Sequence, residues 1–179
     1  PGITSSRVVQ IIKKQFNLNR VGHLGTLDPM ATGLLIIAIN RATKFASLFL
    51  QSEKSYRAEI TLGIQTDTDD AEGEVISCKD VNINELHAKK TLLSFLGESD
   101  QLPPNYSALK HKGKPLYKYA RDGINIEKAA RKIFVKNINN ISIELPKVSF
   151  DITCSKGTYI RSIARDLGLK LGCGANLSK

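Results

Sequence analysis

Asp28 stands between Leu27 and Pro29 in a loop punctuated by Gly22, Gly25 and Gly33, just ahead of the most apolar run of the chain, Leu34 to Ile39. A carboxylate held at a strand end near a core needs partners and can act as a nucleophile or base, although an Asp-Pro pair equally makes an Asx turn or a helix cap. Arg161 lies behind Gly157-Thr158 in the first turn of a helical pattern. A cation there faces the positive end of the helix dipole, so a carboxylate would compensate it. Asp28 is one candidate for that role; the alternative is a surface arginine clustered with Arg165 and Asp166. His23, between Gly22 and Leu24, is either a turn residue or a flat ring able to enter a nucleic-acid stack. Tyr56 and Tyr159 are either core or interface aromatics, or platforms for an unpaired base.

Charge adds a second theme. Lys and Arg total 26 against 17 Asp and Glu, a net charge of +9. That balance favours a polyanionic partner such as nucleic acid, the alternative being a merely soluble basic surface. The run Lys110-His111-Lys112-Gly113-Lys114, with Tyr106, Tyr117 and Tyr119 nearby, is the strongest electrostatic footprint for a phosphate backbone, and a solvated charged loop is the competing reading. The acidic stretch Asp67 to Glu74 lacks the bidentate Glu of a calcium loop and reads as a solvated turn, so no metal is expected. Cys78, Cys154 and Cys173 are scattered and form no CxxC pair. They suggest neither a disulfide framework nor a zinc site, and a reducing cytoplasm fits. No apolar run approaches the roughly 18 residues of a membrane-spanning helix. The opening Pro1-Gly2-Ile3-Thr4 carries no initiator Met and shows no signal peptide, so upstream material is expected.

The elements that must hold these residues follow from periodicity. Thr4-Ser5-Ser6 offers caps for an amphipathic helix carrying Val8, Val9, Ile12 and Phe16. Leu34 to Ile39 reads as a buried central strand, and Asn40 as the cap of a helix from Arg41 to about Leu50 with Phe45, Leu48 and Phe49 inward. Lys54 to Gly63 alternates as a half-buried strand whose apolar face starts at Tyr56. A short strand, Glu74 to Cys78, precedes a helix from Ile83 to Leu96 closed by Gly97. Leu102 to Pro115 reads as an extended basic loop, followed by a short helix from Leu116 to Asp122. Ile133 to Glu144 and Lys147 to Cys154 are strand candidates, and Thr158 caps a last helix with Ile160, Ile163, Ala164, Leu167 and Leu171 as its apolar stripe. Without strict βαβ alternation, the expected fold is α+β, one domain over residues 1–179 around a mixed, largely antiparallel central sheet flanked by helices.

Taken together, Gly22-His23-Leu24-Gly25-Thr26-Leu27-Asp28-Pro29-Met30-Ala31-Thr32-Gly33 resembles the catalytic motif of the TruB-type tRNA pseudouridine synthases, G-H-x-G-T-L-D-P-x-A-T-G. Further matches follow in the family's order: Arg41-Ala42-Thr43-Lys44, Lys54-Ser55-Tyr56, Leu62-Gly63 with Thr66 to Gly73, Pro103 to Lys110, and Cys154 to Ser162. The resemblance implies the pseudouridine synthase fold and a cofactor-free RNA isomerase that converts uridine-55, in the T arm of tRNA, to pseudouridine. It implies that Asp28 is the catalytic carboxylate, with attack on C1′, attack on C6 and elimination to a glycal all compatible. By the same resemblance Arg161 pairs with Asp28, Tyr56 stacks on the base, and His23 fills the space left by the flipped nucleotide. Lys44 and Tyr159 line the cleft, and the stretch from Pro103 to Gly123, with Lys110, Lys112 and Lys114, is an RNA-gripping insertion. A cytoplasmic monomer is expected.

Two departures stand out. Leu24 occupies a place where the family commonly has Thr, and the ends are short of the family's leading strand and C-terminal extension, which implies weaker RNA binding. Two other classes compete with the isomerase. One is a non-catalytic RNA-binding or tRNA-folding module of the same fold; the other is a metal-dependent nuclease built on Asp67 to Glu72.

Overall fold

The computed structural model describes residues 1–179 and divides into two compact units, Pro1–Glu53 and Lys54–Lys179. In the first, helix α1 (Ser5–Gln15) is capped by Thr4, whose hydroxyl accepts from the Arg7 N–H at 3.2 Å. Strands β1 (Val21–His23) and β2 (Ile37–Ile39) pair antiparallel, with Gly22 opposite Ala38. The expected central strand thus shrinks to its last three residues, on a two-stranded ribbon, and Leu34 is 84% exposed. An apolar run alone does not reveal whether the chain has sheet neighbours enough to cover it. Asn40 opens a 3-10 turn, Asn40–Phe45, that leads into helix α2 (Ala46–Leu50), and Phe45, Leu48 and Phe49 are exposed rather than inward.

The second unit is built on a five-stranded antiparallel sheet. Strand β3 (Lys54–Leu62) leads to a hairpin of β4 (Ile64–Thr66) and β5 (Val75–Cys78), then to helix α3 (Glu85–Leu93), capped by Asn84. Strand β6 (Gly97–Gln101) is followed by the small hairpin of β7 (Lys110–His111) and β8 (Lys114–Pro115), and by helix α4 (Leu116–Arg121). The chain closes with β9 (Arg131–Glu144), β10 (Lys147–Cys154), helix α5 (Ile160–Leu171) and β11 (Ala175–Leu177). The order across the sheet is β11-β3-β10-β9-β6.

Register follows from alternation. Val148 faces Ile60 and Phe150 faces Ala58, so one sheet face is continuous hydrocarbon. Val135, Ile138, Leu92, Ile163 and Leu167 complete the core over it, each almost wholly buried. Burying a side chain of this size contributes about 1.5–3 kcal/mol. The opposite face is polar: Arg57 forks onto Asp151 at 2.7 and 3.0 Å, and Asn140 adds a third bond at 2.7 Å. Those partners hold the Asp151 carboxyl down at about 2. A Cβ on Gly168 would meet the Ala175 backbone nitrogen at 2.2 Å, so glycine is what lets α5 press onto β11.

Candidate active site

In the first unit the glycine-rich loop is fixed through its main-chain groups to the start of the chain. Ser5 is buried, and its hydroxyl both donates to the Leu27 carbonyl and accepts from the Leu27 N–H, each at 3.0 Å. The Gly2 N–H donates to the Pro29 carbonyl at 2.7 Å, and the Ala31 N–H closes a turn on the Asp28 carbonyl at 3.0 Å. Asp28 is half-buried as the first residue of that turn, with Pro29 and Met30 at its apex. Leu24, the departure from the motif, is buried, and its N–H bonds the Ile36 carbonyl at 2.9 Å, so a hydrocarbon side chain fills the place. His23, on β1, sets its Nδ1 3.1 Å from the Gly25 carbonyl oxygen, which orients the ring across the loop. Lys44 is exposed in the 3-10 turn.

In the second unit the structure overturns the reading of the acidic stretch. Asp69 and Asp70 are 8% and 5% exposed, and the turn carrying them is tied to β11: the Ala71 N–H bonds the Leu177 carbonyl, and the Leu177 N–H bonds the Asp69 carbonyl. The stretch is a buried hub at Asp69 and Asp70, while Ala71, Glu72 and Glu74 stay exposed. Asp70 accepts from the Thr68 hydroxyl at 2.6 Å and the Glu72 N–H at 3.0 Å. Arg161, 5% exposed, brings one Nη1 to 3.0 Å from the Thr68 carbonyl and 3.6 Å from the Asp70 carboxylate, and its Nη2 to 3.0 Å from the Tyr106 carbonyl. A buried guanidinium at a helix N-terminus requires such acceptors, because charge without them costs several kcal/mol. Arg165 is likewise not a surface residue: its side chain is 13% exposed against Asp69 at 3.1 Å. Burial pushes the Asp69 carboxyl above its ordinary value, against the pull of Arg165 and Arg161.

Tyr159, rather than Thr158, is the N-cap of α5, and no side chain caps the helix. Instead the Gln101 side-chain amide meets both backbone groups of Tyr159, its Oε1 accepting the N–H at 2.8 Å and its Nε2 donating to the carbonyl at 3.1 Å. The half-buried ring of Tyr159 is thereby fixed two residues from Arg161. Tyr56 is half-buried on β3, opposite Ile152 of β10.

The basic stretch is partly structured. Lys112 and Gly113 turn the β7–β8 hairpin with φ of 46° and 81°, and Pro103 and Pro104 ahead of it are buried. Lys110 and Lys112 are exposed, whereas Lys114 is 2.7 Å from Asp122 and its ammonium lies 4.6 Å from the Tyr119 ring centroid. Two cations of the run are thus open to a polyanion and the third is already paired.

Sequence reasoning overlooked Ser5 in the first unit, and Asp69, Asp70, Gln101 and Arg165 in the second. The available signal was in α5, where two arginines at a spacing of four flank the apolar stripe.

Comparison with known proteins gives this geometry a lineage. The family model described as TruB family pseudouridylate synthase (N terminal domain) matches residues 13–160. The chain is 48% identical over 178 residues to tRNA pseudouridine synthase B of Alkaliphilus oremlandii, and 51% identical over 177 residues to that of Yersinia pestis. Each alignment covers 99% of this chain, which spans 60% and 55% of the length of the two relatives. Among solved structures, a Cbf5-Nop10-Gar1 complex aligns with a TM-score of 0.74 at 33% identity, over 99% of this chain and 44% of that one. An H/ACA RNP bound to a substrate RNA containing 2'-deoxyuridine aligns at 0.71 and 30%, over 99% and 42%. With the match running through the whole glycine-rich motif and most of the sheet, the chain belongs to the TruB family of pseudouridylate synthases.

Proposed function

We propose that this chain carries the isomerase activity of its relatives and converts uridine-55 in the T arm of tRNA to pseudouridine, as a cytoplasmic monomer without metal or organic cofactor. Asp28 supplies the reacting carboxylate, Arg161 is its ion partner, and Tyr56 stacks on the extruded base. His23, Lys44 and Tyr159 contact the RNA around it. In the reaction the N1–C1′ bond breaks, a C5–C1′ bond forms, the C5 proton leaves to solvent and N1 gains one. The base must leave its stack first, at a cost of a few kcal/mol that stacking and charge contacts offset. The observation that carries this reading is the intact motif loop around Asp28, with its backbone bonded on both sides of the aspartate. The three free cysteines are consistent with a reducing compartment.

The test is release of tritium from a T-arm hairpin labelled at C5 of the target uridine. Stoichiometric release is expected. RNA binding without release would instead identify a non-catalytic RNA-binding module.

The exposed lysines give a separate expectation. Changing Lys110 and Lys112 to Ala should flatten the slope of log affinity against log salt by about 1.4–1.8, at about 0.7–0.9 per lost phosphate contact. Adding Lys114→Ala should change it by less than a full contact, because Asp122 already neutralises that ammonium. Titrations across a salt series measure both, and an unchanged slope would make the hairpin a solvated surface.

A further inference from the structure

We propose that Asp69 and Arg165 form a positioning pair for Arg161, a second staple without which the Arg161 guanidinium loses its orientation. This rests on the reading of the chain as a pseudouridine synthase. Arg161 and Arg165 project from successive turns of one face of α5, and each binds the same two segments. Arg161 joins the acidic turn, through the Thr68 carbonyl and Asp70, to the Tyr106 carbonyl. Arg165 joins that turn, through Asp69 at 3.1 Å, to the Leu102 carbonyl at 2.8 Å, while its Nε holds Asp166 at 2.8 Å. Ser162 adds a bond to the Leu102 carbonyl at 3.0 Å. From Leu102 the chain runs through buried Pro103 and Pro104 to Tyr106, whose hydroxyl donates to Asp67 at 3.1 Å. The Thr68 and Tyr106 carbonyls and the Asp70 carboxylate around Arg161 are therefore placed by segments that Arg165 clamps.

The backbone at Asp69 supports the assignment. Its φ is 64°, a left-handed conformation unfavourable for a residue with a Cβ. That conformation lets two consecutive carboxylates reach two arginines of one helix face, where an extended pair would point them to opposite sides. Asp69 is buried, so its charge depends on Arg165, with Arg161 as the second cation and Asp166 and Lys128 the other charged groups acting on this pair. Arg165 itself is too enclosed to grip RNA phosphate, which separates positioning from binding.

The experiment compares Arg165→Met, Arg165→Lys and Asp69→Asn with the unsubstituted protein. Read-outs are single-turnover tritium release at saturating RNA, RNA affinity, and the melting midpoint, with rates taken well below the lowest midpoint and normalised to RNA-binding protein. Arg165→Met should lower the saturating rate roughly 10- to 100-fold, the scale expected for a displacement of about 1 Å at a reacting centre, with affinity within about threefold. Arg165→Lys should recover part of the rate by keeping the charge on Asp69, and Asp69→Asn should cost less than Arg165→Met because the amide still offers an acceptor. A second measurement does not depend on turnover. The Nε–H NMR signal of Arg161 should be sharp in the unsubstituted protein and broadened in Arg165→Met. A normal saturating rate together with an unchanged Arg161 signal overturns the proposal. If the unsubstituted protein releases no tritium, the assigned function fails, and the Arg161 signal alone then decides whether the pair positions it.

Discussion

Asp28→Asn is expected to reduce tritium release below detection while RNA affinity stays within about tenfold. The substitution removes the only group assigned to react, yet it changes the charge of a basic protein by a single unit. It is also a mild change for the loop. The turn at Asp28 is held through the main-chain groups of Asp28, Leu27 and Pro29, all of which asparagine leaves in place. The melting midpoint should therefore move little, and substantial turnover by a folded Asp28→Asn protein would remove Asp28 from the mechanism.

Arg161→Lys should be nearly as severe in rate, by on the order of 100-fold, for a different reason. The guanidinium satisfies the Thr68 and Tyr106 carbonyls from two different nitrogens while facing Asp70. A lysine has one nitrogen on a shorter lever and cannot span both carbonyls. At least one buried acceptor would be left open, at about 1–3 kcal/mol, and the cation would shift by an ångström or more. Stability should fall along with the rate, which distinguishes Arg161→Lys from Asp28→Asn. The decisive comparison is denaturant unfolding beside single-turnover kinetics. Wild-type rates in Arg161→Lys would show that a simple positive charge suffices there.

How much of this was legible in the sequence depended on the range of the interaction. Strand β10 was read to the residue, Lys147 to Cys154, and β3 to within one, because strict alternation records a half-buried face locally. The α5 stripe was read for the same reason. Strand β6 was not, since its Gly97-Glu98-Ser99-Asp100-Gln101 sequence has no strand-forming residue; it exists because β9 offers it a ladder. The short β11 depends likewise on β3. In the first unit the motif loop was visible as a pattern, but in the second the burial of Asp69 and Asp70 was not. Their partners lie more than ninety positions away on α5, and a run of carboxylates looks the same whether water or arginine solvates it. Gln101 was hidden by chemistry of the same kind: a neutral amide copying a peptide group leaves no mark in composition.

The Ser5 hydroxyl bond to Leu27 has a dynamic consequence. Within Pro1–Glu53 only Ser5, Leu24 and Ala38 are buried, whereas Lys54–Lys179 encloses the hydrocarbon of a five-stranded sheet. Free energy of opening is expected to be correspondingly uneven, since regions with few buried contacts open on their own before the molecule unfolds. Undocking helix α1 would release Leu27 from Ser5 and free the motif loop while β3 and β10 stay intact. Amide hydrogen exchange should then show Leu27 exchanging well ahead of Ile60 and Val148. On warming, the reaction would fail at the temperature where one serine lets go, with the sheet still folded.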